Sequence, residues 1–312
     1  MKLGREFTLL LVLVVLATFV QFVHPGFLSF RTIHVILENS AVMLLSAIGT
    51  TLVIISGQID LSIGSVLAVC AITSAQLALH NVPLVLLFLW SIGLGAGLGA
   101  INGLVTVLFK VPAMIVTLAA MAIWRGFILW WTGGYWVTDL PDYWKALGST
   151  RILNFTLPIW IAFSIGVLMI FLVRKIRFFR HVYAVGSNRK AAKLLGISEG
   201  RVTFLVLTLN GALAGSSALL SASRFFIIPS NIGTGLELSA IAAVVIGGTN
   251  IMGGRGKIEG TILGVLLMTT ISSSLVFLHI ESVWDDAFKG MIILLAIISD
   301  VLRARRKSEA RL

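Results

Sequence analysis

The 312-residue chain is 58% hydrophobic and 12% charged, with 24 Lys and Arg against 13 Asp and Glu and a formal net charge of +11. A soluble domain carries about 25% charged residues, so the composition excludes an ordinary soluble enzyme or binding module and fits a polytopic membrane protein. The positive balance does not point to nucleic acid, because the basic residues cluster in short loops between apolar runs without an aromatic-and-basic reading surface.

Apolar runs predict about ten spans. The first, about Phe7 to Val23, follows Lys2 and Arg5 and ends at His24-Pro25-Gly26. It imitates a signal peptide, but no small-x-small cleavage site follows, so it reads as a retained helix. A semi-polar segment, Phe30 to Asn39, is expected to lie along the interface. The second span, Ala41 to Ser56, stops at Gly57-Gln58-Ile59-Asp60. The third, Leu61 to Leu79, carries Ser62, Gly64, Ser65, Thr73 and Ser74, too polar a set for a helix facing lipid alone. The fourth, Pro83 to Leu108, holds two small-xxx-small pairs, Gly93 with Gly97 and Gly95 with Gly99, which would admit a close neighbour. The alternative is that these glycines only loosen the helix.

After Lys110 and Pro112 the fifth span runs to about Trp131, followed by an aromatic loop from Thr132 to Trp144. Trp130, Trp131, Trp136 and Trp144 suit an interfacial belt, or a stacking surface for a sugar or a docking protein. The sixth span is Leu153 to Val173. Then comes the one long polar interruption, Arg174 to Arg201, which holds eight basic residues: Arg174, Lys175, Arg177, Arg180, Arg189, Lys190, Lys193 and Arg201. Its centre, Asn188 to Leu195, reads as a short helix bracketed by Gly186 and Gly196. Ala191, Ala192 and Leu195 are expected on one face, and Gly196 is placed as a C-cap. A helix this short is marginal alone in water, so it is expected to pack against something. It is either a topology-fixing loop or a docking helix for a soluble partner.

The seventh span is Val202 to Ala222. Ile227 to Glu237 is too rich in Pro, Asn, Gly and Thr for a lipid-facing helix. The eighth span, Leu238 to Ile246, is short and runs into GGTNIMGGRGK, ending at Lys257. The ninth is Ile258 to Leu278, and after ESVWDD the tenth is Phe288 to Leu302. No stretch is long and polar enough for a separate soluble domain, so 1–302 reads as one membrane domain and 303–312 as a basic tail. With the N-terminus inside, eighteen basic residues fall on the inner side and four on the outer, a clear positive-inside bias that puts both ends in the cytoplasm. The third and eighth spans could be re-entrant.

Candidate polar sites are few. Ile59-Asp60-Leu61-Ser62 resembles Leu236-Glu237-Leu238-Ser239, and the two lie five spans apart, so they would face opposite sides, as in a transporter's inverted repeat. Asp60 and Glu237 either shape a polar route or cap helix starts. Asn102 and Asn210, inside spans, are interhelical glue or ligand contacts. Gly253-Gly254-Arg255-Gly256-Lys257 mimics a phosphate loop, yet Ile251 and Ile258 stand where its first Gly and its Ser or Thr should be. No nucleophile–base set or metal cluster suggests an enzyme, and no cofactor is expected. Cys70, the one cysteine, allows no intrachain disulfide.

Several blocks resemble the ribose-type family of bacterial ABC importer permeases: GQIDLSIGSVLA (Gly57 to Ala68), NGLVTVLFKVPAMIVTLAAM (Asn102 to Met121), AVGSNRKAAKLLGIS (Ala184 to Ser198) and the stretch Gly233 to Gly264. They run collinearly through most of the chain. The family usually has a second Gly where Gln58 stands, which weakens a plain ribose assignment. LWWTGGYWVTDLP, IPSNIGTGLE and VWDD look closest to the autoinducer-2 and rhamnose branch. The resemblance implies an all-α permease of the bacterial inner membrane, paired with a second permease copy or a related permease. It also implies a cytoplasmic ABC ATPase and a periplasmic substrate-binding protein as partners. Gly186, Ala191, Ala192, Leu195 and Gly196 would then belong to a coupling helix docked on the ATPase. Asp60, Ser62, Asn102, Asn210, Glu237 and Asn250 are the candidate pathway residues. The alternative is a secondary transporter driven by an ion gradient, which would need no docking helix.

Overall fold

The computed structural model describes residues 5–281 and 283–309. Thirteen α-helices are found among them: α1 Arg5–Val23, α2 Phe30–Ile55, α3 Ile63–Leu79, α4 Leu84–Phe109, α5 Ala113–Thr132, α6 Ala146–Ser149, α7 Leu157–Lys175, α8 Arg177–Ser187, α9 Arg189–Leu194, α10 Glu199–Ala222, α11 Leu236–Ile246, α12 Ile258–Phe277 and α13 Val283–Glu309. A single hairpin, β1 Arg151–Ile152 with β2 Phe155–Thr156, interrupts them. Seven helices are long and apolar enough to cross a membrane: α1, α2, α4, α5, α7, α10 and α12. Helix α11 spans only about 16 Å at 1.5 Å per residue, half of a hydrocarbon core.

Burial sorts these helices. Only 6% of the apolar window of α1 is buried, and it packs by one side against α12, whereas α2 and α10 are mostly buried and form the centre. Helix α10 lies against α4 at backbone distance. A Cβ on Gly95 or Gly99 would strike the carbonyl of Gly211 or Leu207, and one on Gly211 or Gly215 would strike that of Gly95 or Ser91. Gly93 and Gly97 meet nothing, so only one of the two predicted pairs forms the seam.

Phe30 to Asn39 does not lie along the interface; it is the first part of α2, opened by Ser29, whose hydroxyl accepts from the Thr32 N–H at 3.4 Å. Its acidic and amide side chains, Glu38 and Asn39, are met inside the fold. Glu38 receives Arg224 at 3.1 Å and the Thr156 hydroxyl at 2.8 Å, and Arg224 donates to Asn39 at 3.1 Å. Satisfied in this way, a carboxylate can enter a helix bundle. Trp144 also departs from the belt reading: it is fully buried and donates its indole N–H to the carbonyls of Ala222 and Phe225. Trp130, Trp131 and Trp136 are exposed. Helix α13 takes the tenth span and most of the expected tail into one helix; Lys2 and residues 310–312 lie outside the described residues.

Two faces result. A basic face carries the start of α1, the end of α2, α8, α9 and the turn from Gly247 to Lys257, where the Gly254 N–H donates to the Ile55 carbonyl at 2.8 Å. An aromatic face carries residues 133–156 and the segment 223–235, joined where Val137 and Ile228 exchange backbone hydrogen bonds.

Candidate functional site

Helix α2 ends on the basic face because Gly57, at φ +78°, takes the left-handed turn that closes the helix. Its N–H donates to the Ile54 carbonyl and that of Gln58 to Val53. The chain then re-enters the bundle. The Leu61 N–H donates to Thr117 Oγ1 of α5 at 3.1 Å, and α3 begins at Ile63. From the opposite face the segment after α10 dips inward until α11 begins at Leu236. The two helix starts meet: a Cβ on Gly64 would strike both the Glu237 carboxylate and the Gly233 carbonyl. Helices α3 and α11 thus run in opposite directions from facing N-termini, as the internal repeat suggested. Backbone that breaks inside a membrane is tolerated where other protein groups satisfy it.

Four of the six predicted pathway residues form one hydrogen-bonded network at this break. Asp60 Oδ1 accepts from the Ser62 N–H at 2.8 Å and the Ser62 hydroxyl at 2.7 Å. Asn102 Nδ2 of α4 donates to Ser62 Oγ at 2.9 Å, and Asn210 Nδ2 of α10 donates to Asp60 Oδ2 at 2.8 Å. All four side chains are buried. Asp60 therefore satisfies a free N–H at a helix start, and the two asparagines act as interhelical glue, while Asn210 Oδ1 lies against Gly49 without a hydrogen-bond partner. Asn102 stands seven residues before the end of α4, so the network lies about 10 Å inside the basic face.

Glu237 sits one layer further in, half-buried, with Oε2 buried and unpaired. Arg125 of α5 is close enough to interact with it electrostatically and donates to the Ile232 carbonyl at 2.8 Å. Asn250 does not join them. It lies in the basic-face turn, where its Oδ1 accepts from the Met252 N–H at 2.9 Å and holds the loop that contacts α2. A short Asn-Gly-rich turn uses the side chain for its own backbone, which places Asn250 apart from the other five candidates.

Below the network a cleft of about 570 Å³ opens to the basic face, lined by Gln58, Thr106, Lys110, Arg189 and Thr203 among others. Gln58 thus faces this cleft, and its φ is not left-handed, so a side chain fits there without strain.

The polar stretch 174–201 holds two helices. Gly186 does not bracket the short one; it belongs to the last turn of α8, and the room its missing Cβ leaves is taken by the Ile55 carbonyl at the end of α2. Helix α9 is capped by Asn188, which accepts from the Ala191 N–H at 3.0 Å. It closes in a Schellman turn at Gly196, φ +76°, with Ile197 N–H on the Ala192 carbonyl and Gly196 N–H on Lys193. The expected common face is not found. Ala192 is 3% exposed and points inward, whereas Ala191, Leu194 (90%) and Leu195 (78%) face out. Tyr183 of α8 donates to the Gly256 carbonyl at 2.8 Å, and burial raises its phenol pKa.

Three contributors escaped the sequence reading. Arg189, counted there only as charge, donates to the Gly57 carbonyl at 3.0 Å and pairs with Glu199 at 2.9 Å, tying α9 to the loop that leads to Asp60. Leu194 is the most exposed apolar residue of the basic loop. Arg125 could have been found, because an arginine inside a span is costly and needs a partner.

Residues 32–297 match the family described as branched-chain amino acid transport system permease component. The Autoinducer 2 import system permease protein LsrC of Salmonella typhi is 35% identical over 297 residues, covering 95% of this chain and 86% of the relative. The protein of the same name from Escherichia coli K12 is 35% identical over 299 residues, covering 95% and 87%. No solved structure matches significantly.

Proposed function

The chain belongs to the family of branched-chain amino acid transport system permease components and is a permease of an ABC importer for a sugar-like solute; we propose that this solute is of the autoinducer-2, rhamnose or ribose class, with autoinducer-2 first. Import of autoinducer-2 is what its relatives are named for. The protein is a multi-pass membrane protein, and its function in such a system implies a partner ATPase and a substrate-binding protein. In this reading the membrane is the bacterial inner membrane, ten helices cross or enter it, and the basic face with both termini is cytoplasmic, by the positive-inside bias. Residues 1–302 form one permease domain, 303–312 its basic end, and the permease works as a pair with a second copy or a related chain.

The observation that carries the mechanism is the contact of Arg189 with the Gly57 carbonyl. Helix α9, with Leu194 and Leu195 outward, docks on the ATPase; ATP-driven closure moves it, and Arg189 passes the movement to residues 57–62. There the Asp60, Ser62, Asn102 and Asn210 network is rearranged, so that its donors and acceptors meet the hydroxyls of the solute in place of one another. Glu237 and Arg125 extend that polar lining toward the outer side. The cleft under Gln58 and Thr106 is the cytoplasmic exit.

The test is uptake by vesicles holding the permease, its ATPase and its binding protein, with labelled autoinducer-2, rhamnose and ribose. Uptake of one of them that requires ATP and survives collapse of the proton gradient is expected. Uptake without ATP, driven by an ion gradient, would overturn the reading in favour of a secondary transporter.

A further inference from the structure

A second cleft, of about 520 Å³, opens on the basic face between the start of α1, Tyr183 of α8 and the turn that joins α11 to α12. Its charged lining is Arg5, Arg255, Lys257 and Glu6. Lys257 pairs with Glu6 at 2.6 Å, which keeps its ammonium above the usual lysine pKa, so the pair is neutral as a unit. Arg5 lies over Gly248, at φ +103°, and spends one donor on the Val245 carbonyl at 3.2 Å. Arg255 is exposed and has no side-chain partner among the described residues. The nearest further charges, Arg174 and Glu259, satisfy each other. Two guanidinium groups are therefore left uncompensated around one hollow. Beyond it α1 exposes Leu10 and Val12, the latter two turns from Arg5 on the same side of the helix.

We propose that this cleft is a binding site for the phosphate headgroup of an anionic phospholipid, held by Arg5 and Arg255, with its acyl chains along the exposed face of α1. Guanidinium groups match phosphate oxygens in bidentate geometry. Basic pockets between helices on the cytoplasmic side are the setting in which anionic headgroups are recognised. The contiguous apolar surface of α1 selects a lipid over free phosphate, which would gain nothing from it. The lipid adds a second hold on a helix whose main packing partner is α12. The placement in the inner leaflet rests on the cytoplasmic assignment of the basic face, but binding itself does not.

Native mass spectrometry of the full chain in detergent tests this, using phosphatidylglycerol and phosphatidylcholine of identical chains. Phosphatidylglycerol is expected to be retained preferentially, with about a five-fold loss for Arg255→Ala, an intermediate loss for Arg255→Lys, which keeps the charge but not the bidentate fork, and none for Arg151→Ala on the aromatic face. Arg5→Ala should weaken retention similarly, and the thermal midpoint of Arg255→Ala should match the parent. Equal retention of the two lipids, equal losses for Arg255→Ala and Arg151→Ala, or displacement by millimolar inorganic phosphate would each overturn the proposal. Detergent has no inner and outer side, so such a failure would leave the transport reading intact, and failed uptake would leave the lipid site intact.

Discussion

Asp60 is a buried carboxylate with three donors, and its removal strands groups that water cannot reach. Asp60→Ala leaves the Ser62 N–H and Asn210 Nδ2 without their acceptor, a loss of about 1–3 kcal/mol for each buried group so stranded. A lowered thermal midpoint of the purified permease should report it. Asp60→Asn keeps an acceptor for Ser62 and should lose less; equal midpoints for the two variants would count against the network as drawn. Arg189 behaves differently. It is half-exposed, and an exposed ion pair contributes about 0–1 kcal/mol, so Arg189→Ala should leave the midpoint nearly unchanged. Its link to Gly57 is positional, and the expected result is ATP hydrolysis without solute uptake in the assembled transporter. Uptake at the parent rate per ATP would show that the movement travels elsewhere.

Helices α4 and α10 and the short α9 show two uses of small and apolar residues. Gly99 must stay bare, because any Cβ there collides with the Leu207 carbonyl, whereas Gly93 faces open space. Gly99→Val should therefore sharply lower the yield of folded protein in membranes, while Gly93→Val should be tolerated. Similar yields would place the seam elsewhere. On α9, Leu194 and Leu195 are apolar and exposed without an internal reason, so Leu194→Asp with Leu195→Asp should leave the permease stable and abolish co-purification of the ATPase. Retention of the ATPase by that variant would sink the docking role of α9. Ala192→Asp is not a clean probe, because Ala192 is packed inside and an aspartate there would disturb the fold itself.

For the whole molecule the assignment of sides can be measured. Cys70 is buried, and after its replacement by Ala single cysteines can report exposure from either side. A cysteine at Tyr135 should react with an impermeant maleimide from outside intact cells, and one at Leu194 only after permeabilisation. The reverse pattern would invert the orientation, and labelling of both from one side would remove an odd number of crossings between them. The same experiment separates a re-entrant α11 from a crossing one, since a reporter in the turn at Met252 must share the side of Leu194 if the Gly254 to Ile55 contact holds in the membrane.

The sequence by itself determined the class of molecule and the positions of most helices, because continuous apolar runs of span length have no other stable home; for their orientation the basic loops supply an expectation, which the labelling experiment tests. It also marked the two helix breaks, since Gly57 to Asp60 and Ile227 to Glu237 carry residues that a lipid-facing helix cannot satisfy. Local chemistry was legible too: Gly196 closes α9 as its spacing suggested. Tertiary structure alone decided which polar groups meet. Asp60 finds Asn210 150 residues away, and Asn250, similar in type and setting, finds only its own turn. It alone decided that Phe30 to Asn39 continues a buried helix, because the partners that make Glu38 tolerable there come from β2 and the segment after α10. It also turned Ala192 inward and Leu194 outward on a helix too short for periodicity to assign its faces. The physical reason is common to these cases: an apolar run declares its preference residue by residue, whereas a polar group inside a membrane is acceptable or not according to a partner that the local sequence does not contain.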